Sequence, residues 1–383
     1  MATPAKKPKL RLSLLIPSSL FALALLRLSL HGFFPHPPSS SSSSSRPASI
    51  PTALLPLPKP HLKLLLLRGS VNGRSRFQHL RPSPRSRRFF ARATEFFRGH
   101  CELRFFMTWI SSLDGFGPRE FLAMESLFKS HPNACLLLVS DTMDSSKGAH
   151  LLKPFLDKGF RVAAVAPDYN YLFQSTPAEC WFQKLLNGEV DPGEVSLGQN
   201  LSNLLRLVVV YKFGGVYLDT DVIVMKSFSG LKNVIGAQAV DAGTGNWSRL
   251  NNAVMVFDKM HPLVYKFIEE FALTFDGSKW GHNGPYLVSR VAARVAGRPG
   301  FEVTVLPPSA FYPVDWNKIA GLFKEPKDAN YAKWVKAKIK SIRKESFAVH
   351  LWNKQSRGMN VEEGSVIGRI MLDCCVFCNF SSG

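Results

Sequence analysis

The chain has 383 residues, 45% of them hydrophobic, and a formal charge of +20 at pH 7. Residues 1–94 hold 16 of the Lys and Arg residues and no acid, whereas the rest of the chain sets 32 bases against 28 acids, a balance of only +4. A nucleic-acid stripe on the folded part is therefore excluded from the expected functions, and the apolar content is enough for a large core.

Residues 1–94 read as a basic disordered tail. The seven-serine run 39–45, the eight prolines between 35 and 60, and "RPSPRSRR" cannot bury enough apolar surface to offset the entropy of ordering. Within it, "LSLLIPSSLFALALL" (12–26) follows Lys6, Lys7, Lys9 and Arg11. A basic flank and then an apolar run predict an N-terminal signal anchor at about residues 10–30, with membrane contact through it and the rest of the chain in a lumen. The alternative is an organellar transit peptide, which is also Arg- and Ser-rich and poor in acids.

From Glu95 onward the pattern predicts one α/β domain, 95–383, because strand-like and helix-like runs alternate. "LRFFMTWI" (103–110) is a strand, and "GPREFLAMESLFKSH" is an amphipathic helix opened by Pro118. "ACLLLVS" is a buried strand, "KGAHLLKPFLDKG" a helix and "FRVAAVAPD" a third strand. "LGQNLSNLLRLVVVYKFGG" is a helix stopped by Gly214 and Gly215, and the chain then enters the strand "GVYL". Beyond it, "NNAVMVFD" reads as a strand, "HPLVYKFIEEFALTF" and "GPYLVSRVAARVAG" as helices, and "FEVTVLPP" and "SFAVHLW" as late strands. The sheet implied is mixed, mainly parallel and covered on both faces.

The six cysteines are an even number, which suits disulfides in an oxidising compartment. "CCVFC" has no second Cys or His pair at a zinc-type spacing. Of the N-x-S sequons at Asn200, Asn246 and Asn379, Asn246 lies in a glycine-rich loop and is the best glycan acceptor.

Asp219 and Asp221 fall where the "GVYL" strand ends, the position at which ligands collect in open α/β sheets. Two residues apart in an extended segment, they are expected to project to one side. Paired carboxylates there suit a hard divalent cation, Mn²⁺ or Mg²⁺, with positions left for a diphosphate. A solvated surface pair is one alternative. Another is a haloacid-dehalogenase-type phosphatase with Asp219 as nucleophile and Asp221 as acid, although its later acidic pair is missing.

"NLLRLVVVYKFGGVYLDTDVIVMKSF" resembles the D-x-D segment of the α-1,4-glycosyltransferases, and so in order do "RFFMTWIS", "NNAVMVFDKMHP", "GPYLVSRV", "FYPVDW" and "AVHLWNK". The resemblance covers nearly all of residues 101–355. It implies a GT-A type, Rossmann-like single domain and a retaining transferase moving a hexose or N-acetylhexosamine from a UDP-sugar to a glycan, glycolipid or glycoprotein. A lumenal domain in the Golgi membrane goes with it. Asp219 and Asp221 would hold Mn²⁺ (or Mg²⁺) and the donor, and His350 would be a further metal ligand. Arg206, Tyr217 and Gly215 would lie at the cofactor. Asn203, which stands where the family commonly has Asp, joins them. Asn251, Asn252, Asn283, Gly284 and Trp352 would meet the donor sugar or the acceptor, with Trp316 as a second aromatic platform. No catalytic nucleophile is assigned: a covalent carboxylate adduct and same-face attack both remain, and a weakly catalytic glycan-binding member is the non-enzymatic alternative.

Overall fold

In the computed structural model, which describes residues 77 and 80–378, nine strands and twelve α-helices follow in chain order. The first part runs α1 (Phe89–Arg98), β1 (Arg104–Thr108), α2 (Pro118–Ser130), β2 (Cys135–Val139), α3 (Ser146–Asp157) and β3 (Arg161–Val165). Next come α4 (Tyr169–Phe173), α5 (Ala178–Asn187), α6 (Leu197–Phe213), β4 (Gly215–Leu218), β5 (Val222–Val224), β6 (Val234–Val240) and β7 (Trp247–Phe257). The last part is α7 (Pro262–Thr274), α8 (Pro285–Val295), β8 (Thr304–Leu306), α9 (Pro308–Phe311), α10 (Ala329–Glu345), β9 (Ala348–His350), α11 (Asn353–Ser356) and α12 (Val366–Cys374).

Seven strands form one sheet in the order β3-β2-β1-β4-β7-β6-β8. The pairs β3–β2, β2–β1, β1–β4 and β6–β8 are parallel, while β7 runs antiparallel to both neighbours. This is the mixed, mainly parallel α/β sheet expected of a GT-A domain. The alternation of strand side chains supplies two cores. Phe105, Met107, Leu136, Leu138, Val216 and Leu218 face α2 and the C-terminal helices, and Phe106, Leu137, Val139 and Tyr217 face α4–α8. All five residues of β2 are buried. At about 1.5–3 kcal/mol per fully buried large apolar side chain, such strands supply much of the driving force for folding.

β2 lies on one side of β1 and β4 on the other, so the order of the chain reverses between β1 and β4. A crevice opens at such a switch point, beyond the carboxyl ends of the strands. Gly214 and Gly215 bring the chain there by a tight path, both at positive φ. A Cβ on Gly215 would stand 2.4 Å from the Arg104 carbonyl oxygen, so close approach to β1 demands glycine.

α1 runs across the boundary expected at residue 94. Phe89, Ala93 and Phe97 are buried at four-residue spacing against Phe106, so an amphipathic helix lies inside the basic segment. Arginines between the apolar positions masked its stripe. The remainder of the expected tail, the anchor at about 10–30 and the Asn379 sequon lie outside the described residues. Among the described residues no helix is long and apolar enough to cross a membrane.

The late strands are shorter than expected, and β9 leaves the main sheet to pair antiparallel with β5. Disulfides join Cys101 to Cys135 and Cys375 to Cys378, leaving Cys180 and Cys374 free. The first ties the lead-in of β1 to β2.

Candidate functional site

The carboxylates of Asp219 and Asp221 sit at the end of β4, in a turn closed by a hydrogen bond from the Val222 N–H to the Asp219 carbonyl, 3.1 Å. The expected extended geometry is thus replaced by a turn, because the chain here leaves the seven-stranded sheet for the β5–β9 ribbon. That ribbon decides the third partner. Its register sets His350 opposite Val222, and the imidazole Nε2 lies 3.2 Å from Asp221 Oδ1. One donor atom from each of Asp219, Asp221 and His350 falls within 4.8 Å of the others.

Arg206 reaches the same place from α6. Its side chain is only 4% exposed, and its guanidinium pairs with Asp219 at 2.9 Å and donates to the Asn252 carbonyl at 3.0 Å. It also lies over the Tyr217 ring, 4.7 Å from the centroid. The Tyr217 hydroxyl donates to Asp219 Oδ1 at 2.8 Å and meets the Thr108 hydroxyl at 2.9 Å. Asp219 is therefore held from two sides by a cation and a phenol, and the phenol is in turn fixed by Thr108, which closes β1.

The second aspartate is held by the segment after β9. The Asn353 N–H donates to Asp221 Oδ2 at 2.8 Å, and the Leu351 N–H donates to the Asp221 carbonyl at 2.9 Å. Between them Trp352 adopts a left-handed backbone, φ 55°, a strained conformation of the kind that persists where surrounding contacts over-determine it. Its indole N–H donates to the Val314 carbonyl at 2.9 Å, and its ring lies 4.3 Å from that of His350. Trp352, expected at the donor sugar or the acceptor, is 8% exposed and packs against the imidazole.

The electrostatics differ across the pair. Burial raises the Asp219 carboxyl above its ordinary range, and the neighbouring Arg206 guanidinium only partly offsets this. Burial acts the same way on Asp221, but His350 and the Asn353 N–H outweigh it and hold this carboxyl low. For His350, burial favours the neutral ring, while Asp221 more than compensates and draws its pKa up. The other ring nitrogen, Nδ1, is buried without a hydrogen-bond partner among the described residues. Two carboxylates and an imidazole, crowded and incompletely satisfied, are a donor set that fits Mn²⁺ or Mg²⁺.

The remaining expected residues divide. Asn203, buried on α6, accepts a hydrogen bond from Asn252 Nδ2 at 3.2 Å. A Cβ on Gly284 would come within 2.8 Å of the Asn203 Oδ1, so Gly284 admits that amide. Asn251 is occupied by Gln238 and the Ala253 N–H. Asn283 is a structural bracket, bonded to Asn200, to the Asp276 carbonyl and to the Asp276 N–H. Gly215 stands at the other end of β4 from Asp219, where it serves the close approach to β1. Trp316 is 43% exposed. Asn200 is buried against Asn283, which removes its sequon as an acceptor, whereas Asn246 is exposed.

Four participants escaped the sequence reading. Thr108 and Ser202 hydrogen-bond each other at 2.7 Å beside Tyr217 and Arg206. Glu120, buried at the start of α2, accepts from Asn353 Nδ2 at 3.2 Å and pairs with Arg357 at 2.5 Å. Asn353 had a signal, since it stands in "AVHLWNK". Glu120 had a different one: a Glu at the third helical position reads as a cap, and it does bond the Gly117 N–H.

An α/β sheet with an acidic, cation-ready cluster at its switch point is the arrangement of a DXD-type glycosyltransferase domain, and comparison with known proteins agrees. The glycosyltransferase sugar-binding region containing the DXD motif matches residues 117–241, and the alpha 1,4-glycosyltransferase conserved region matches residues 256–381. An uncharacterized protein of Arabidopsis thaliana is 32% identical over 294 residues, 74% of this chain and 44% of that protein. Lactosylceramide 4-alpha-galactosyltransferase of Homo sapiens is 30% identical over 63% of this chain and 66% of its own length. That of Pongo pygmaeus is 32% identical over 52% of this chain and 85% of its own. Among solved structures, PaToxG glycosyltransferase aligns over 73% of this chain and 99% of its own at 17% identity and a TM-score of 0.39, a likeness too slight to argue from. The chain belongs to the α-1,4-glycosyltransferase family. This membership removes the phosphatase alternative. The chain spans less than half of the Arabidopsis relative and about two thirds of the human one.

Proposed function

We propose that the chain is a retaining, metal-dependent glycosyltransferase that moves a hexose or N-acetylhexosamine from a UDP-sugar to a glycan, glycolipid or glycoprotein. The observation that carries this reading is the Asp219–Asp221–His350 cluster, backed by Arg206, at the carboxyl end of β4. Those three side chains hold Mn²⁺ or Mg²⁺. Bound there, the ion would offset the negative charge that gathers on a departing diphosphate. Tyr217 and Arg206 orient Asp219, and the 351–353 segment orients Asp221. Asn203 presents an amide where the family commonly has a carboxylate, which favours hydrogen bonding to a neutral sugar hydroxyl over charge pairing.

The two disulfides support an oxidising lumen, in keeping with a Golgi domain held by an N-terminal anchor. The test is a thermal-shift panel of UDP-sugars with and without Mn²⁺, followed by donor hydrolysis. Stabilisation by one UDP-sugar only with the ion, and hydrolysis of that donor, is the expected result. A folded protein that no nucleoside diphosphate stabilises with either ion would refute the reading. Donor binding without turnover would leave a glycan-binding member of the fold.

A further inference from the structure

The segment that holds Asp221 is itself gripped from a distant part of the chain. Asn353, whose N–H donates to Asp221 Oδ2 at 2.8 Å, is the first residue of α11. The first turn of α2, 233 residues earlier, meets it with two adjacent side chains. Glu120 Oε1 accepts from Asn353 Nδ2 at 3.2 Å and from the Arg357 guanidinium at 2.5 Å. Arg119 donates to the Ser356 carbonyl at 2.7 Å, to its hydroxyl at 3.1 Å, and to the Met359 carbonyl.

The two oxygens of Glu120 face different partners. Oε2 accepts from the Gly117 N–H at 3.0 Å and caps α2, which leaves Oε1 for α11. A cap alone does not call for burial, yet this side chain is only 5% exposed. A carboxylate only accepts hydrogen bonds, so the Asn353 amide has to turn its Nδ2 toward it. The amide oxygen Oδ1 then faces elsewhere, and it is buried with no hydrogen-bond partner among the described residues. One open acceptor therefore sits on the residue whose N–H holds Asp221. The left-handed Trp352 lies just before it, with its indole tied to the Val314 carbonyl, so both sides of that strained residue are anchored.

We propose that Glu120 is a positioning residue for the metal cluster: it fixes the Asn353 amide and the start of α11, and through them the Asp221 carboxylate. The inference rests on the reading of Asp219, Asp221 and His350 as metal ligands. A bracket that served stability alone would leave ion affinity unchanged in the folded protein.

The test is calorimetry of Mn²⁺ alone on the full chain, beside a denaturant titration. Glu120→Gln keeps the length and an oxygen for the Gly117 N–H, but its amide pairs with Asn353 in either orientation. The folded Gln variant should bind Mn²⁺ about tenfold more weakly than wild type, and Glu120→Ala up to about a hundredfold. Glu270→Gln, which alters a buried acid away from the cluster, should keep wild-type affinity. Glu120→Gln/Asn353→Ala should bind within about twofold of Asn353→Ala, because the two residues act through one contact. Wild-type affinity in Glu120→Gln would overturn the inference alone, and so would losses that multiply in the double variant. Wild type that binds neither Mn²⁺ nor Mg²⁺ would refute the metal reading and this inference with it. Should Glu120→Ala fail to fold, the Gln and double variants decide.

Discussion

The cluster around Asp221 and the cluster around Glu270 are both buried carboxylates facing cations, yet they are built to opposite ends. Glu270 on α7 meets Arg290 at 2.5 Å and Arg294 at 2.7 Å, and Arg290 also donates to the Thr274 hydroxyl. Each oxygen of that acid has a guanidinium, and like charges are kept apart. At the end of β4, two acids of one turn meet one buried arginine and an imidazole whose Nδ1 has no hydrogen-bond partner among the described residues. A buried charge that is fully matched contributes to the fold. Buried charges that crowd and stay partly unmatched are matched by something else, and such places concentrate function.

The sharpest break of this comparison is Asp221→Ala. Changes to groups that merely orient metal ligands cost about 10–100-fold in metal affinity or activity, so removal of a ligand itself should exceed that. The folded variant should lose the Mn²⁺-dependent thermal shift along with donor hydrolysis; retention of both would place the ion elsewhere. Asn353→Ala removes a side chain while keeping the N–H on Asp221, and should weaken Mn²⁺ binding measured by calorimetry within that same 10–100-fold range.

Glu270→Ala should act on stability alone. Breaking a buried pair costs about 3–5 kcal/mol, and the half-exposed Arg294 can turn to water, so the loss in a denaturant titration should fall toward the lower end. Mn²⁺ affinity should not move. Reduction of the Cys101–Cys135 bond, which closes a loop of 34 residues, should remove about 3–4 kcal/mol in the chain-entropy view.

The pH dependence follows from the same acid. Burial works against ionisation of Glu270, but the two arginines prevail and hold its carboxyl below the usual range. Its contribution is therefore present above the unfolded value, about 4.3, and is lost as pH falls through the lower folded value. Glu270→Gln should flatten that acid limb relative to wild type. An unchanged limb would mean the pair is not coupled to folding. The smallest effect is expected for Asn203→Asp, within about 1–3 kcal/mol, because the new carboxylate can still accept from Asn252 while burying a charge. A gain of donor hydrolysis in that variant would tie the departure at 203 to rate.

The parallel strands β1–β4 were legible because both of their faces are buried, which writes them as continuous apolar runs. β6 was not: its sequence "VIGAQAV" contains a glycine and a glutamine, and its pairing with β7 is irregular at three steps. α10 was missed as well, since lysines interrupt a stripe of only three buried residues, Val335, Ile339 and Ile342. Around the site, the acids and Arg206 were readable from the helix–diglycine–strand pattern. The packing of Trp352 and Asn283 was not legible, because polar and aromatic types suit sugar contact and internal bracing equally well.

The sequence alone determined where charge can gather: one acidic pair after a diglycine at a strand end, in a domain otherwise balanced. It also determined the sheet class, through the apolar period of the strands. Only the tertiary structure decided what the acids meet. His350 reaches Asp221 through the register of a three-residue antiparallel ribbon. Glu120 reaches Asn353 across the domain. Local patterns record which face of an element is buried, whereas pairings between distant segments depend on how the whole chain packs.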